Sequence, residues 1–206
     1  MSFVIFIVDD DGGVLKALAR LLEAAGFETR AYASSQLFLD SYDPTVPGCA
    51  ILDLTMPGID GLALQMRLID KGQSPPIIFL TGTGDIACSV RAMRAGAVDF
   101  LTKPVDGKQL LAAIERARQK DIETRNARTD REAFDRRIAR LTPREREVLD
   151  YVVLGRLNKQ IAATLGTVEK TIKVHRGRMM AKLEVRSVAE LVRMMERGSL
   201  PPRAQM

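Results

Sequence analysis

The feature that most constrains this chain is an alternation, repeated five times between Phe3 and Arg118, of short β-type runs with helical patterns. Phe3–Val8 is apolar throughout, as a strand covered on both faces must be. Val14–Ala25 then carries Val14, Leu15, Leu18, Leu21 and Leu22 at helical spacing and stops at Gly26. The pattern repeats with a short strand at Phe27–Arg30, a helix at Ser34–Ser41, a buried strand at Cys49–Leu52 and an amphipathic helix at Leu62–Ile69. It continues with a strand at Ile77–Leu80, a helix at Ile86–Ala95 ended by Gly96, a strand at Val98–Leu101 and a helix opening at Lys108–Arg118. Five β-then-α units predict an α/β fold, a doubly wound five-stranded parallel sheet with helices on both faces.

Charge divides the chain in the same place. Residues 1–104 hold 8 Lys/Arg against 12 Asp/Glu, a net of −4, whereas residues 105–206 hold 23 against 14, a net of +9. An acidic half followed by a basic half predicts two domains with different partners, the second a polyanion. The longest apolar stretch, Phe3–Val8, is far too short to span a bilayer, and acidic Asp9-Asp10-Asp11 follows it at once, unlike a signal peptide. Cys49 and Cys88 lie in apolar segments without metal-ligand spacing, which predicts free thiols and a cytoplasmic protein with no membrane partner.

Beyond the fifth unit the pattern changes. Residues 121–137 are strongly charged, lack Gly and Pro, and contain few apolar residues, among them Ile122 and Phe134. They read as a charged linker, either a solvated helix or a tether. Order returns after Leu141, where Thr142-Pro143 with Glu145 is a helix-start signal. Four helices are predicted in about 60 residues, the second short (Asn158–Leu165) and separated by Gly166 from a longer one reaching Leu183. A small all-α helix-turn-helix domain over 138–197 follows, and 198–206, with Pro201-Pro202, reads as a disordered tail.

In open parallel sheets, ligands bind at the carboxyl ends of the strands. Asp9 and Asp10 close the first strand, Asp53 the third and Thr81 the fourth, and Lys103 follows the fifth. Taken singly, an acidic strand end is usually a solvated loop or helix cap. Five such residues at successive strand ends of one sheet form a constellation. Clustered carboxylates repel each other unless a cation joins them, and oxygen ligands favour Mg2+. A magnesium ion between Asp10 and Asp53 leaves Asp53 able to attack a phosphoryl donor, with Thr81 and Lys103 stabilising the developing charge. Lys103-Pro104 is a candidate cis bond.

The strings Val8–Asp11 (VDDD), Leu52–Gly61 (LDLTMPGIDG), Leu80–Asp85 (LTGTGD) and Ala95–Pro104 (AGAVDFLTKP) resemble the receiver domain of two-component systems. That resemblance, placed over residues 1–120, implies that Asp53 is the phosphoacceptor and that Asp9 and Asp10 form the acidic pocket. It implies magnesium on Asp10, Asp53 and the Thr55 carbonyl, Thr81 as a switch hydroxyl, Phe100 as the ring that follows it, and Lys103 as the phosphate contact. A sensor histidine kinase is the implied donor. Val90 and Arg94, on the Ile86–Ala95 helix, are nominated as contacts of a homodimer formed on phosphorylation. Gly12-Gly13 and Val105 depart from the family pattern, which has larger residues opening the first helix and often an aromatic at the second place.

In the helix after Gly166, Ile172, Met179 and Leu183 share one face and can close a core. Lys170, Lys173, Val174, Gly177 and Arg178 fall together on another. A charged helical stripe is most often a solvated face, but the order short helix, glycine turn, basic helix suits a helix in a major groove of double-stranded DNA. Thr171, His175 and Arg176 flank the stripe, and Lys159 opens the preceding helix, all placed to reach phosphates. Leu141–Leu149, Gly155–Gly166, Lys170–Ser187 and Ala189–Val192 resemble the C-terminal domain of the LuxR/NarL/FixJ regulators, which implies base reading by Lys173, Val174 and Gly177 on paired half-sites. Thr167-Val168 inverts the family's apolar-then-cap order, so the cap of this helix is expected early or lost.

The expected function is therefore a response regulator, not an enzyme, whose phosphorylation on Asp53 controls dimerisation and DNA binding. Two rivals remain open: a regulator that needs no phosphorylation, and an aspartyl phosphatase or phosphotransferase. The second would carry an acid/base carboxylate two residues after the nucleophile, where this chain has Thr55.

Overall fold

In the computed structural model, residues 2–82 and 86–198 are described, and they fall into two compact units that divide between Thr124 and Arg125. The first unit is built on strands β1 (Val4–Val8), β2 (Glu28–Tyr32), β3 (Gly48–Asp53), β4 (Ile77–Thr81) and β5 (Asp99–Thr102). All pairs are parallel and the order is β2-β1-β3-β4-β5. The helices between them are α1 (Gly12–Ala24), α2 (Ser35–Ser41), α3 (Gly61–Asp70) and α4 (Ile86–Arg94), with α5 (Gly107–Ala139) following β5. The alternation of α and β has the topology predicted from the sequence.

Strand periodicity sorts the core into two layers. Val4, Phe6 and Val8 of β1 pack with Phe38 of α2, Leu64 and Leu68 of α3 and Ala92 of α4. Ile5 and Ile7, on the opposite face, pack with Leu15, Leu18 and Leu22 of α1 and with Leu110, Ala113, Ile114 and Ala117 of α5. Helix starts are fixed by short acidic or hydroxyl caps: Asp11 accepts from Gly13 N at 2.7 Å, Ser34 from Leu37 N at 3.3 Å and Asp60 from Ala63 N at 2.7 Å.

The charged stretch 121–137 is helical throughout, as part of α5. Spaced ion pairs such as Arg128–Glu132 support it, together with the Gln119–Glu123 hydrogen bond. Its sparse apolar residues are not all solvated: Phe134 and Ile138, four apart on one helical face, are buried in the core of the second unit. The rest of that unit is α6 (Pro143–Val153), α7 (Asn158–Thr164), α8 (Glu169–Leu183) and α9 (Val188–Gly198). Ile172, Met179 and Leu183 of α8 are fully buried there, with Val148, Leu149 and Val152 of α6 and Ile161 of α7. Of the tail 198–206 expected to be disordered, Gly198 is instead the last residue of α9, and 199–206 lie outside the described residues. Among the described residues, no helix is long and apolar enough to cross a membrane.

Candidate functional site

The parallel order brings the carboxyl ends of β1, β3, β4 and β5 to one edge of the sheet, where Asp9, Asp10, Asp53, Thr81 and Lys103 are found. Asp9 follows β1 and is buried; Asp10 beside it is exposed. Asp53 is the last residue of β3 and is 6% exposed. Carboxylate oxygens of Asp9, Asp10 and Asp53 all lie within 4.8 Å of one another. Lys103 reaches in from beyond β5, its ammonium 2.6 Å from Asp9 Oδ2 and 3.0 Å from Asp53 Oδ1. The Lys103–Pro104 bond is cis, and the Lys103 amide donates to the Thr81 carbonyl at 2.7 Å.

These contacts set the electrostatics. Burial pushes the Asp53 carboxyl above its ordinary pKa; the hydrogen bond from Lys103 opposes that and the Asp9 charge adds to it. Burial works against the Lys103 ammonium, but its bonds to Asp9 and Asp53 outweigh it and hold its pKa above the ordinary value. Three carboxylates facing one cation leave an excess of negative charge, with an oxygen-only donor set. That set fits a hard divalent ion such as magnesium.

The remaining predicted residues of this unit do not all fall at that edge, since Arg94 ends α4, which returns the chain to the start of β5. Thr81 ends β4 and is buried; Thr55 lies exposed in the loop after β3. Phe100, in β5, is half-buried with its ring 6.2 Å from that of Phe79. Val90 and Arg94 are exposed on α4. Asp11 had no expected role beside Asp9 and Asp10, and in the structure it caps α1.

In the second unit, α8 buries one face and presents the other. Lys170, Lys173, Val174, Gly177 and Arg178 are all exposed, as is Lys159 on α7. Thr171 and His175 are half-buried. Arg176 is half-buried as well and donates to Asn158 Oδ1 at 2.9 Å, so it braces α8 against the start of α7. No local pattern signals that brace, because the pairing depends on how two helices cross. Val168 is the N-cap of α8 and makes no side-chain cap bond, which is the lost cap expected from the Thr167-Val168 order. The far end of α8 is anchored by Lys182, whose ammonium lies 2.6 Å from the buried Glu145.

Comparison with known proteins assigns both units. The model for the response regulator receiver domain matches residues 5–115, and that for bacterial regulatory proteins of the luxR family matches residues 139–195. The chain belongs to the response regulators with a luxR-family C-terminal domain. The response regulator protein TodT of Pseudomonas putida is 41% identical to this regulator over 194 residues, 94% of this chain and 86% of that protein. The solved structure of response regulator StyR has 43% identity and a TM-score of 0.76, covering 96% of this regulator and 100% of that chain. Full-length FixJ from B. japonicum has 38% identity and a TM-score of 0.56, with coverages of 95% and 97%. The regulator is thus a receiver joined to a DNA-binding domain, a transcription regulator and not an enzyme; a receiver implies a kinase partner.

Proposed function

We propose that Asp53 of this regulator accepts a phosphoryl group from a sensor histidine kinase, and that the modification controls dimerisation and sequence-specific binding to double-stranded DNA. The observation that carries this reading is the ammonium of Lys103 beside Asp53, in a cluster of carboxylates, on a chain whose second unit exposes a basic helix face.

One Asp53 carboxylate oxygen attacks phosphorus, the bond from phosphorus to the kinase imidazole nitrogen breaks, and that nitrogen keeps the electron pair. Magnesium, held by Asp10, Asp53 and the Thr55 carbonyl with Asp9 alongside, would neutralise charge on the transferring oxygens. Lys103 and the Thr81 hydroxyl donate to those oxygens, and movement of Thr81 draws Phe100 inward. The altered α4 surface, which exposes Val90 and Arg94, then pairs with a second copy. Pairing joins two recognition helices and raises affinity for paired half-sites through effective concentration. Lys173, Val174 and Gly177 would face base edges, and Lys159, Lys170, Thr171, His175, Arg176 and Arg178 phosphates, Arg176 while holding Asn158.

The test is DNA binding by wild type and Asp53→Asn, each with and without acetyl phosphate and magnesium, on fragments selected from genomic DNA. A gain of affinity and dimerisation confined to phosphorylated wild type supports the reading. Equal binding by both proteins under every condition would assign the chain to phosphorylation-independent regulators.

A further inference from the structure

Gly61, the first residue of α3, is buried against the phosphoacceptor. A Cβ built on it would overlap the carbonyl oxygen of Asp53, and would stand 3.2 Å from the Asp53 carbonyl carbon and 3.0 Å from Cε1 of Phe79. Only a residue without a side chain lets the start of α3 lie this close to β3. The Gly61 amide also donates to the Leu54 carbonyl at 3.0 Å, so the loop from β3 closes on the residue after Asp53. On its other side this peptide is held by β4: Asp53 pairs with Leu80, and the Leu54 amide donates to the Leu80 carbonyl at 3.0 Å. The pairing of β1 with β3 ends one residue earlier, at Val8–Leu52. The Asp53 peptide is therefore gripped between β4 and Gly61.

We propose that Gly61 is a positioning residue for phosphoryl transfer: its bare Cα seats α3 on the Asp53 peptide and so sets where the Asp53 carboxylate stands relative to Asp9, Asp10 and Lys103. The inference rests on Asp53 being the phosphoacceptor. A methyl group at position 61 cannot be accommodated by a side-chain rotation, because the nearest obstacle is backbone. Either α3 backs away or the Asp53 peptide shifts, and a shift is carried directly to the carboxylate. In-line attack tolerates little of this; a misplacement of about 1 Å costs on the order of 10²-fold in rate.

Gly48 supplies a matched control at the opposite end of β3. A Cβ there would overlap the Val4 carbonyl oxygen and stand 2.9 Å from Cε2 of Phe6, the same combination of carbonyl and ring. With a rise of about 3.3 Å per residue, the two ends of the strand are roughly 17 Å apart. Gly48→Ala strains the same strand without touching the carboxylate cluster.

The experiment uses the full chain as wild type, Gly61→Ala and Gly48→Ala, at a temperature where all three are folded. It measures acyl phosphate formation from acetyl phosphate by intact mass, Mg2+ affinity by calorimetry, the amide resonances of Leu54 and Lys103, and thermal melting. Both variants should melt earlier than wild type. Only Gly61→Ala should slow acyl phosphate formation by about tenfold or more, weaken Mg2+ binding and shift the Leu54 and Lys103 resonances. Should Gly61→Ala fail to fold, Gly61→Ala with Phe79→Leu, compared against Phe79→Leu alone, removes the ring overlap and keeps the methyl against Asp53. The double variant should melt below Phe79→Leu, because the methyl still meets the Asp53 carbonyl, and should also form acyl phosphate more slowly. Wild-type behaviour in Gly61→Ala, an equal loss in Gly48→Ala, or equal labelling in the Phe79→Leu pair would overturn the proposal. Absence of acyl phosphate from wild type itself would instead overturn the assignment of Asp53.

Discussion

The Lys103 ammonium stands 3.0 Å from Asp53 Oδ1 while it holds Asp9 Oδ2 at 2.6 Å, so one cation from beyond β5 ties together the carboxyl ends of β1 and β3. The pair is only partly shielded from water, since the Lys103 side chain is 23% exposed. Its proposed value lies in charge placement more than in stability. Lys103→Met keeps most of the packing and removes the cation. Acyl phosphate should still form on Asp53, because the nucleophile is intact, but roughly 10²-fold more slowly. Rapid-quench labelling with acetyl phosphate checks this, and an unchanged rate would remove Lys103 from the mechanism.

Asp53→Asn should raise thermal stability in metal-free buffer at neutral pH. The fold raises the Asp53 pKa above 3.8, through burial and the Asp9 charge against the pull of Lys103. A carboxyl whose folded pKa is raised loses stability as pH climbs from its unfolded value through the folded one, so removing the charge recovers that loss. Added magnesium should raise the melting temperature of wild type more than that of the variant. A lower melting temperature for Asp53→Asn in metal-free buffer would mean that the pull of Lys103 outweighs burial and the Asp9 charge.

Gly177 has open space where a side chain would go, with nothing within 4 Å of a built Cβ. Gly177→Ala should therefore stabilise α8 by about 1 kcal/mol, read as a rise in melting temperature. Gly177→Lys adds a cation to the face that carries Lys170, Lys173 and Arg178. The slope of log affinity against log salt should steepen by about 1 if this face meets DNA. A slope identical to wild type would place the DNA elsewhere.

Glu145 links the α6 cap to the end of α8. It accepts from the Thr142 amide at 2.9 Å and from Lys182 at 2.6 Å, and the Lys182 bond is the main reason its carboxyl lies below the ordinary pKa of 4.5. The sign follows from the depressed value: this contribution is complete above the unfolded pKa and is lost as pH falls through the folded one. Melting followed from about pH 6 to pH 3 should show the second unit weakening below 4.5, and Glu145→Gln should flatten that dependence. An equally steep curve for Glu145→Gln would mean that other carboxylates dominate.

Much of the first unit was legible because parallel strands buried on both faces must be apolar, and β1, β3 and β4 are buried throughout. The edge strand β2 was less so. Its solvated positions blur the run, and it extends to Tyr32, two residues past the expected end at Arg30. The reach of α5 was ambiguous for a related reason: the stretch 121–137 is polar enough to suit either a helix or a tether, and only the burial of Phe134 and Ile138 shows where the second core takes up the chain. The residues of the candidate site were legible from their places at strand ends, whereas the contribution of Gly61 was not. It closes the run Leu52–Gly61, but a missing side chain leaves no mark on periodicity or charge.

The amino-acid sequence by itself determined the two-part architecture, the parallel sheet, the acidic strand ends and the basic face of α8, because each follows from local periodicity, turn chemistry and charge. The tertiary structure decided which of those polar groups meet. That Lys103 spans Asp9 and Asp53, that Arg176 is drawn to Asn158, and that Gly61 presses on the Asp53 peptide are contacts between elements distant in sequence or differently oriented in space. Such distances come from the packing of helices on a twisted sheet and on one another, which no local pattern encodes.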